Sequence, residues 1–277
     1  MSRPARVTRR LHPALAAGLT AAATLLFALV PLRAGAQPTT TEGTRLDAHS
    51  ARRGDVLDEG VFIVSQNEKP VRVEDFSFER LSDTLLVRAS SRVALPGQDE
   101  RPVDKNMILI VGPLDFAMGS YWSQLAVGAD TLRRGVEVTP GDTVFTVWRE
   151  FNLRGAGDRV AQPPGRFYIL DPPLFTTFNF IGRTLQGKPC DRRPITVYVL
   201  GDRDSLVNAT VTDVGNETLR WGGRPVQARK LVIADERTSY TTWFSPDGRM
   251  LRLEQAESAI RVDRKPPPVK RQPPRTE

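Results

Sequence analysis

Period-two alternation of β-branched and aromatic residues is the feature that most restricts the fold of this 277-residue chain. Short runs with this alternation recur between Gly, Pro and Asp turns, a pattern typical of half-buried β-strands. The connections are too short for parallel crossovers, which need a dozen or more residues, so we expect antiparallel neighbours. The predicted strands are Val61–Ser65, Val71–Glu79, Leu85–Val93, Met107–Val111, Thr143–Asn152, Phe167–Leu170, Ile195–Leu200, Ser205–Asp213, Thr218–Trp221, Val226–Ala234, Ser239–Phe244 and Met250–Glu254.

The apolar pattern changes phase inside two of these strands. One change lies near Arg229 and Lys230, and the other lies between Val73 and Phe76. A β-bulge produces such a change and increases the local twist. The sequence therefore predicts a sheet that coils.

One segment has helical rather than strand periodicity. Asp171 is a candidate N-cap and Pro172 a candidate first helical residue, and Gly187 and Pro189 would end the helix. The residues that share its apolar face are Leu174, Phe178, Ile181 and Leu185. We expect this helix to be buried against the concave side of the sheet; the alternative is a strand pair over Phe175–Ile181.

These patterns together define a fold class. We predict a mainly β protein in which a curved antiparallel sheet, a half-barrel, wraps around one short helix, with disordered N- and C-terminal segments. The predicted divisions are a signal peptide over residues 1–36, a flexible leader over 37–55, a single β-rich domain over 56–263 and a Pro/Arg-rich disordered tail over 264–277.

The N-terminal segment has the layout of a secretory signal peptide. Four arginines precede an apolar run from Ala14 to Leu32, and Ala34-Gly35-Ala36 matches a cleavage site. We predict cleavage after Ala36 and a periplasmic or secreted protein. The alternative is an uncleaved anchor, because nineteen apolar residues reach the lower limit for crossing a bilayer.

The charge of the predicted domain argues against nucleic acids as partners. The full chain has a formal charge of +7, but residues 1–36 contain five arginines and no acid. Residues 37–260 contain 28 cations and 30 acids, so the predicted domain is close to neutral. Nucleic-acid binding needs a basic face, and we predict none. The basic tail is a candidate for contact with peptidoglycan or an anionic membrane surface, and nothing in the sequence indicates an oligomeric state.

Few residues are available for catalysis or for metal binding. Beyond the signal peptide, His49 is the only histidine and lies in the leader, and Cys190 is the only cysteine. Histidine-based nucleophilic sites and zinc sites need more of these residues. We therefore predict no catalytic residues, no metal site and no cofactor, and we expect Cys190 to be a half-buried thiol.

Carboxylates are the remaining candidates for acid–base chemistry. Glu74 and Asp75 are adjacent, so in a strand they point to opposite faces, and Asp202 and Asp204 share a turn. We predict that both pairs are surface charges. The alternative is a carboxylate-dependent hydrolase of envelope polysaccharide, which requires two carboxyl groups in one cleft.

Aromatic and aliphatic side chains are sufficient to line a cavity for an acyl chain. Such a ligand is held by apolar contacts and few polar groups. The alternative is that these side chains fill an ordinary core. The predicted lining residues are Trp148, Phe167, Phe175, Phe178, Ile181 and Trp243.

Two stretches are similar to a known group of proteins. One is Gly60–Val64 with Lys69–Phe78, and the other is Gly223–Leu231 with Trp243–Leu253 after it. Together they resemble uncharacterised exported bacterial proteins grouped with the lipoprotein-localisation (Lol-type) half-barrels. The resemblance implies an antiparallel sheet that curls around a short helix and can enclose a lipid or acyl chain. No lipid-attachment cysteine is present, and Arg92–Ala161 is longer than a half-barrel requires.

The sequence thus leads to a functional expectation. We expect an exported periplasmic protein that binds a lipid-like or apolar ligand without catalysis. The alternatives are the polysaccharide hydrolase and a structural or interaction domain of the cell envelope.

Overall fold

The computed structural model describes residues 54–93, 104–186 and 191–267, which contain fifteen β-strands, one α-helix and a short 3₁₀ turn at Ala256–Ser258. The strands are β1 (Asp55–Gln66), β2 (Lys69–Arg80), β3 (Leu85–Val93), β4 (Asp104–Val111), β5 (Met118–Val127), β6 (Asp130–Glu137), β7 (Val144–Phe151), β8 (Arg154–Ala161), β9 (Phe167–Leu170), β10 (Arg192–Val199), β11 (Ser205–Trp221), β12 (Arg224–Ala234), β13 (Ser239–Phe244), β14 (Met250–Gln255) and β15 (Ile260–Arg264). The helix, α1, spans Thr176–Thr184.

All the strands belong to one curved sheet that is not closed by hydrogen bonds. Its order is β8-β7-β6-β5-β4-β3-β2-β1-β15-β14-β13-β12-β11-β10-β9. Neighbours are antiparallel, except that β9 and β10 are parallel and are connected through α1. The predicted fold class, a curved and mainly antiparallel sheet with one short helix, is confirmed.

The β9 end of the sheet lies inside the curve. All four residues of β9 are buried although they alternate between two faces. On one face, Phe167 stacks on Phe145 of β7, with ring centroids 4.9 Å apart. On the other face, Tyr168 shares a 2.7 Å hydrogen bond with Thr184 of α1. The edge strand β9 is therefore enclosed between β7 and the helix, whereas the other edge strand, β8, is almost entirely exposed.

The helix is shorter than its sequence pattern indicates. It begins at Thr176, and Phe175 rather than Asp171 occupies the N-cap position. Asp171 instead directs its carboxylate to Lys105 and Tyr121, and the Pro172–Pro173 bond that follows is cis. The predicted N-cap at Asp171 was wrong, as was the alternative strand pair over Phe175–Ile181.

The two predicted phase changes have different causes. In β2, the inward residues Glu74, Phe76 and Phe78 keep a regular alternation, and the apparent change arises because a polar residue is buried. In β12, Ala228 and Leu231 belong to separate apolar clusters. The nearby irregularity of pairing lies in the partner strand β11, between Asp213 and Gly215. Pairing is regular between Val73 and Phe76, so a bulge at that place was wrong; the nearest irregularity in β2 lies at Val71, between Pro70 and Arg72. The bulge predicted near Arg229 and Lys230 lies in the neighbouring strand β11.

Four strands were missed by the sequence analysis. They are β5, β6, β8 and β15, and three of them fill the Arg92–Ala161 region. The eight residues of β8, RGAGDRVA, contain one β-branched residue, so the strand has almost no apolar alternation. At the C-terminal boundary, Arg264 was placed in the tail but is the buried last residue of β15.

Several predictions concern residues that the structure does not describe. These are the signal peptide, the leader up to Arg53, Cys190 and the tail beyond Pro267.

Candidate functional site

A cleft of about 210 Å³ lies between the C-terminal end of α1 and strands β11 to β13. It is the candidate functional site, and we call it the helix cleft. Its lining residues are Gly182, Gln186, Asn216, Gln227, Arg229, Leu231, Phe244, Ser245, Pro246 and Gly248.

The floor of the helix cleft is apolar and closely packed. Leu231 and Phe244 are buried in the main core cluster. Phe244 lies directly against the helix backbone, because a Cβ added to Gly182 would lie 1.9 Å from its ring. At the edge of the floor, Gly248 has a φ of +79°, and a Cβ there would lie 2.6 Å from the Gln186 side chain. Two glycines thus permit the close approach of strand, turn and helix.

The rim of the helix cleft is polar. The Arg229 guanidinium donates to Asp213 Oδ2 (2.8 Å) and to the Leu185 carbonyl (2.9 Å), which fixes a cation beside the end of the helix. Gln227 donates to Thr218 Oγ1 at 2.7 Å. An apolar floor beneath a few placed polar groups is the usual composition of a small-molecule site.

The C-terminal half of α1 is attached to the sheet by a buried carboxylate, Asp58 of β1. Arg264 makes two hydrogen bonds to this carboxylate, at 2.6 and 3.1 Å, and Arg183 of the helix lies 2.7 Å from Oδ2. Burial by itself raises the pKa of Asp58, but the hydrogen bond and charge of Arg264, together with Arg183, outweigh burial and lower the pKa. Asn179 of the helix accepts a hydrogen bond from the Met250 N–H at 2.9 Å.

The N-terminal end of α1 is capped by Glu74 of β2. Its carboxylate accepts hydrogen bonds from the backbone N–H groups of Phe175 and Thr176, both at 2.8 Å, and from the Thr176 hydroxyl. The first turn of a helix has unpaired N–H groups and favours a negative charge. Glu74 is 0% exposed, and burial raises its pKa despite these hydrogen bonds. Glu74 and Asp75 do face opposite sides, but the prediction that both are surface charges was wrong for Glu74, because the helix needs an acceptor there.

A second buried ion pair lies just before the helix. Asp171 accepts hydrogen bonds from Lys105 Nζ (2.5 Å) and from the Tyr121 hydroxyl (2.6 Å). Lys105 also donates to the Pro172 carbonyl at 2.8 Å. Burial lowers the pKa of Lys105 although Asp171 opposes this shift, and burial with the Asp171 charge raises that of Tyr121. These contacts attach β4 and β5 to the segment that leads into the helix.

The structure distributes the six predicted lining residues over three places. Phe167, Phe175, Phe178 and Ile181 are in the main core cluster, where Phe178 packs on Tyr240 with ring centroids 4.7 Å apart. Trp148 is half-buried and packs over Gly135 of β6. Trp243 belongs to a second cluster.

The helix cleft is lined by other residues, so the predicted lining of a ligand cavity stays a prediction. The sequence analysis did not single out Gly182 or Arg229 for the site. Gly182 carried a signal in retrospect, since a glycine inside an apolar helical pattern indicates close packing.

Within 54–93, 104–186 and 191–267, no group of three or more His, Cys, Asp or Glu residues could hold a metal ion. No helix in those same ranges is long and apolar enough to cross a membrane.

The chain was compared with known proteins. No family model matches the chain, and no curated protein matches it. Among solved structures, a β-barrel-like protein of the domain of unknown function DUF1849 from Brucella abortus is similar, with 11% identity and a TM-score of 0.49 over 75% of this chain and 94% of that one. A DUF1089 family protein from Pseudomonas aeruginosa is similar with 12% identity and a TM-score of 0.42, over 65% of this chain and 88% of the other. The fold assignment rests on the strand pairing of this chain itself.

Proposed function

We propose that this is an exported periplasmic protein that binds, without catalysis, a lipid-like or other apolar ligand with a polar end. The observation that carries the proposal is the helix cleft, in which Leu231 and Phe244 form an apolar floor beside the Arg229 cation. An apolar group of the ligand contacts the floor, and its polar end meets the rim.

The size of the helix cleft restricts what it can hold. Sites for drug-sized ligands usually measure about 300–1,000 Å³, and this cleft measures about 210 Å³. It therefore accommodates a small ligand or one end of a longer one. This proposal is compatible with the resemblance to the Lol-type half-barrels, which implies a sheet that curls around a short helix and can enclose a lipid or acyl chain.

The inward carboxylates do not favour the alternative function, a polysaccharide hydrolase. Asp58, Glu74 and Asp171 are between 0 and 4% exposed. Each is engaged by basic side chains, backbone N–H groups or a tyrosine hydroxyl. A hydrolase needs carboxyl groups that reach a substrate in a cleft, whereas these three hold the helix in place.

Two of the six residues predicted as a cavity lining have a supporting part in this proposal. Phe178 and Ile181 pack the helix into the core behind the cleft floor. We also propose that the basic tail provides contact with the cell envelope, as its composition indicates.

Native mass spectrometry of gently purified protein tests the proposal. We expect co-purifying acyl species in the wild type and their loss in Asn216→Trp, which fills the helix cleft from its exposed rim. The matched control is Arg220→Trp, an exposed residue of the same strand outside the lining, which should retain them. If delipidation changes neither mass nor thermal stability, the binding proposal is wrong.

Export has its own test. After expression in a bacterial host, we expect the mature N-terminus to be Gln37 in the periplasmic or secreted fraction. An intact N-terminus beginning at Met1 would contradict cleavage.

A further inference from the structure

Strand β8 is an edge of the sheet that the described part of the chain leaves uncovered. Seven of its eight residues are exposed, and β7 is its only neighbour in the sheet. Edge strands are usually protected from pairing with another chain by lysine, proline or a β-bulge. β8 contains neither lysine nor proline, and it pairs with β7 from Arg154 to Ala161 without a register shift. A further strand can therefore add to this edge.

The pairing with β7 fixes which backbone groups of β8 point outward. Just beyond the strand, and in the same register, the Gln162 N–H donates to the Thr143 carbonyl at 2.8 Å. Hydrogen-bonded positions alternate along an antiparallel pair. The even-numbered residues of β8 therefore bond to β7, and the odd-numbered residues direct their N–H and C=O groups away from β7. These outward residues are Gly155, Gly157, Arg159 and Ala161.

The two outward glycines are not required by the fold of a single copy. Neither Gly155 nor Gly157 has a positive φ. A Cβ at either position would meet its nearest neighbour at 3.6 Å, which is an ordinary contact. Glycine weakens the interior of a strand, and there it often marks a place where another backbone approaches closely. Two successive outward glycines therefore favour backbone pairing at this part of the edge.

Two opposite charges on β8 are available to a partner strand. The side chains of Arg154 and Asp158 lie on the same face, and neither forms an ion pair within the described ranges. Asp158 Oδ1 accepts a hydrogen bond from the Arg159 N–H at 2.8 Å, which leaves Oδ2 for another donor. When two copies of β8 are antiparallel and centred on Ala156, Arg154 of each copy lies opposite Asp158 of the other. This charge complementarity points to a second copy of the chain as the partner.

Other two-fold registers fit less well. A pairing centred on Gly157 would use the Arg159 N–H, which Asp158 already occupies. A pairing centred on Asp158 would place two carboxylates directly opposite each other, which is destabilising. The centre at Ala156 avoids both conflicts, and it brings Gly155 of each copy opposite Gly157 of the other.

We propose that β8 pairs with β8 of a second copy, antiparallel and centred on Ala156, to form a two-fold symmetric dimer. Each pair of Gly155 with Gly157 exchanges both of its backbone hydrogen bonds. Arg154 and Asp158 form an ion pair at each end, at positions where opposite side chains are closest. Because the paired segment of each copy is short, the buried area is small and association depends on protein concentration.

A cysteine at the centre of the pairing tests the register. In a Cys190→Ala background, Ala156→Cys places two Cα atoms about 4.5 Å apart, a separation that a disulfide can span. We expect a covalent dimer on non-reducing electrophoresis after mild oxidation of dilute protein. Ala161→Cys, another exposed alanine of β8, is the matched control. It would lie about 30 Å from its counterpart and should remain monomeric.

Exchange of the two charges tests the partner. In sedimentation equilibrium, Arg154→Asp and Asp158→Arg each place like charges opposite each other at both ends, and each should weaken dimerisation by about tenfold. The double variant Arg154→Asp/Asp158→Arg restores opposite charges and should recover most of the wild-type affinity. Arg159→Asp makes the same change of charge outside the paired segment and should dimerise as the wild type does.

The substituted side chains are exposed, so the variants should keep the thermal stability of the wild-type monomer. The proposal is overturned if the wild type stays monomeric at millimolar concentration, or if both cysteine variants cross-link equally well. It is also overturned if the double charge variant dimerises no better than the single variants, because another surface or another partner would then be involved.

Discussion

At its N-terminal end, α1 is held by a carboxylate that accepts backbone hydrogen bonds, whereas at its C-terminal end it is held by arginines that converge on a carboxylate. At Glu74, burial outweighs the hydrogen bonds and raises the pKa of the carboxyl group. At Asp58, Arg264 and Arg183 outweigh burial and lower the pKa of the carboxyl group. Both carboxylates are buried, so the difference arises from their partners: dipoles at one end and full charges at the other.

The largest expected effect comes from removing a charge at the C-terminal end. Arg264→Met leaves Asp58 buried without its bidentate partner, and breaking such a pair costs about 3–5 kcal/mol of unfolding free energy. Urea denaturation measures this loss. The matched control is Arg261→Met in the same strand, whose ion pair with Asp263 is exposed and should cost less than about 1 kcal/mol. Equal losses would show that the buried network does not hold the helix.

Breaking the ion pair between Lys105 and Asp171, just before the helix, should cost slightly less unfolding free energy. Lys105→Met removes one hydrogen bond from the buried Asp171 carboxylate, whereas Arg264→Met removes two from Asp58. The Tyr121 hydroxyl still donates to Asp171, and we expect a loss of about 3 kcal/mol. Asp171→Asn in the Lys105→Met background removes the stranded charge and should recover part of that stability. A double-mutant cycle by urea denaturation measures the coupling, and additive losses would contradict a direct pair.

Packing at the helix cleft should have an intermediate effect. Gly182→Ala places a methyl group 1.9 Å from the Phe244 ring, and overpacking of this kind costs about 1–3 kcal/mol. Gly157→Ala is the control, because its nearest neighbour would be the Val147 carbonyl at 3.6 Å. Thermal denaturation should separate the two variants, and indistinguishable melting temperatures would mean that Phe244 moves freely away from the helix.

The smallest effect, and one that depends on pH, is expected for Glu74→Gln. The variant should differ from the wild type by no more than about 1 kcal/mol near neutral pH, because it loses a charged cap but also avoids burying a charge. The raised pKa means that the folded state favours protonated Glu74. Wild-type stability relative to the variant should therefore decrease as pH rises from the ordinary glutamate pKa to the raised one. Urea denaturation between about pH 4 and about pH 8 measures this difference. A relative stability that increases with pH would contradict the raised pKa.

Much of the sheet could be predicted because its signal is local. The turn at Gly222-Gly223, where both residues have positive φ, and the alternation of Leu85–Val93 each depend on neighbouring residues only. In β8, glycine and charged residues remove the alternation, and pairing with β7 alone makes it a strand.

The contacts that hold α1 in place beside the candidate site were harder to predict, because the residues that make them are distant in the sequence. Glu74 caps a helix that begins 102 residues later. Arg264 meets Asp58 across 206 residues. Nothing adjacent to Glu74 distinguishes a buried cap from a surface acid, so its burial appeared in the sequence as an irregular apolar pattern.

The sequence by itself determined the strand-rich class, the position of the one helical segment and the scarcity of histidine and cysteine, because these follow from local periodicity and composition. Only the tertiary structure decided that β9 lies inside the curve and that Glu74, Asp58 and Asp171 point inward. The physical reason is that a charge can be buried only where a partner from another strand or from the helix compensates its lost hydration. That partner exists only once the sheet has curled around α1.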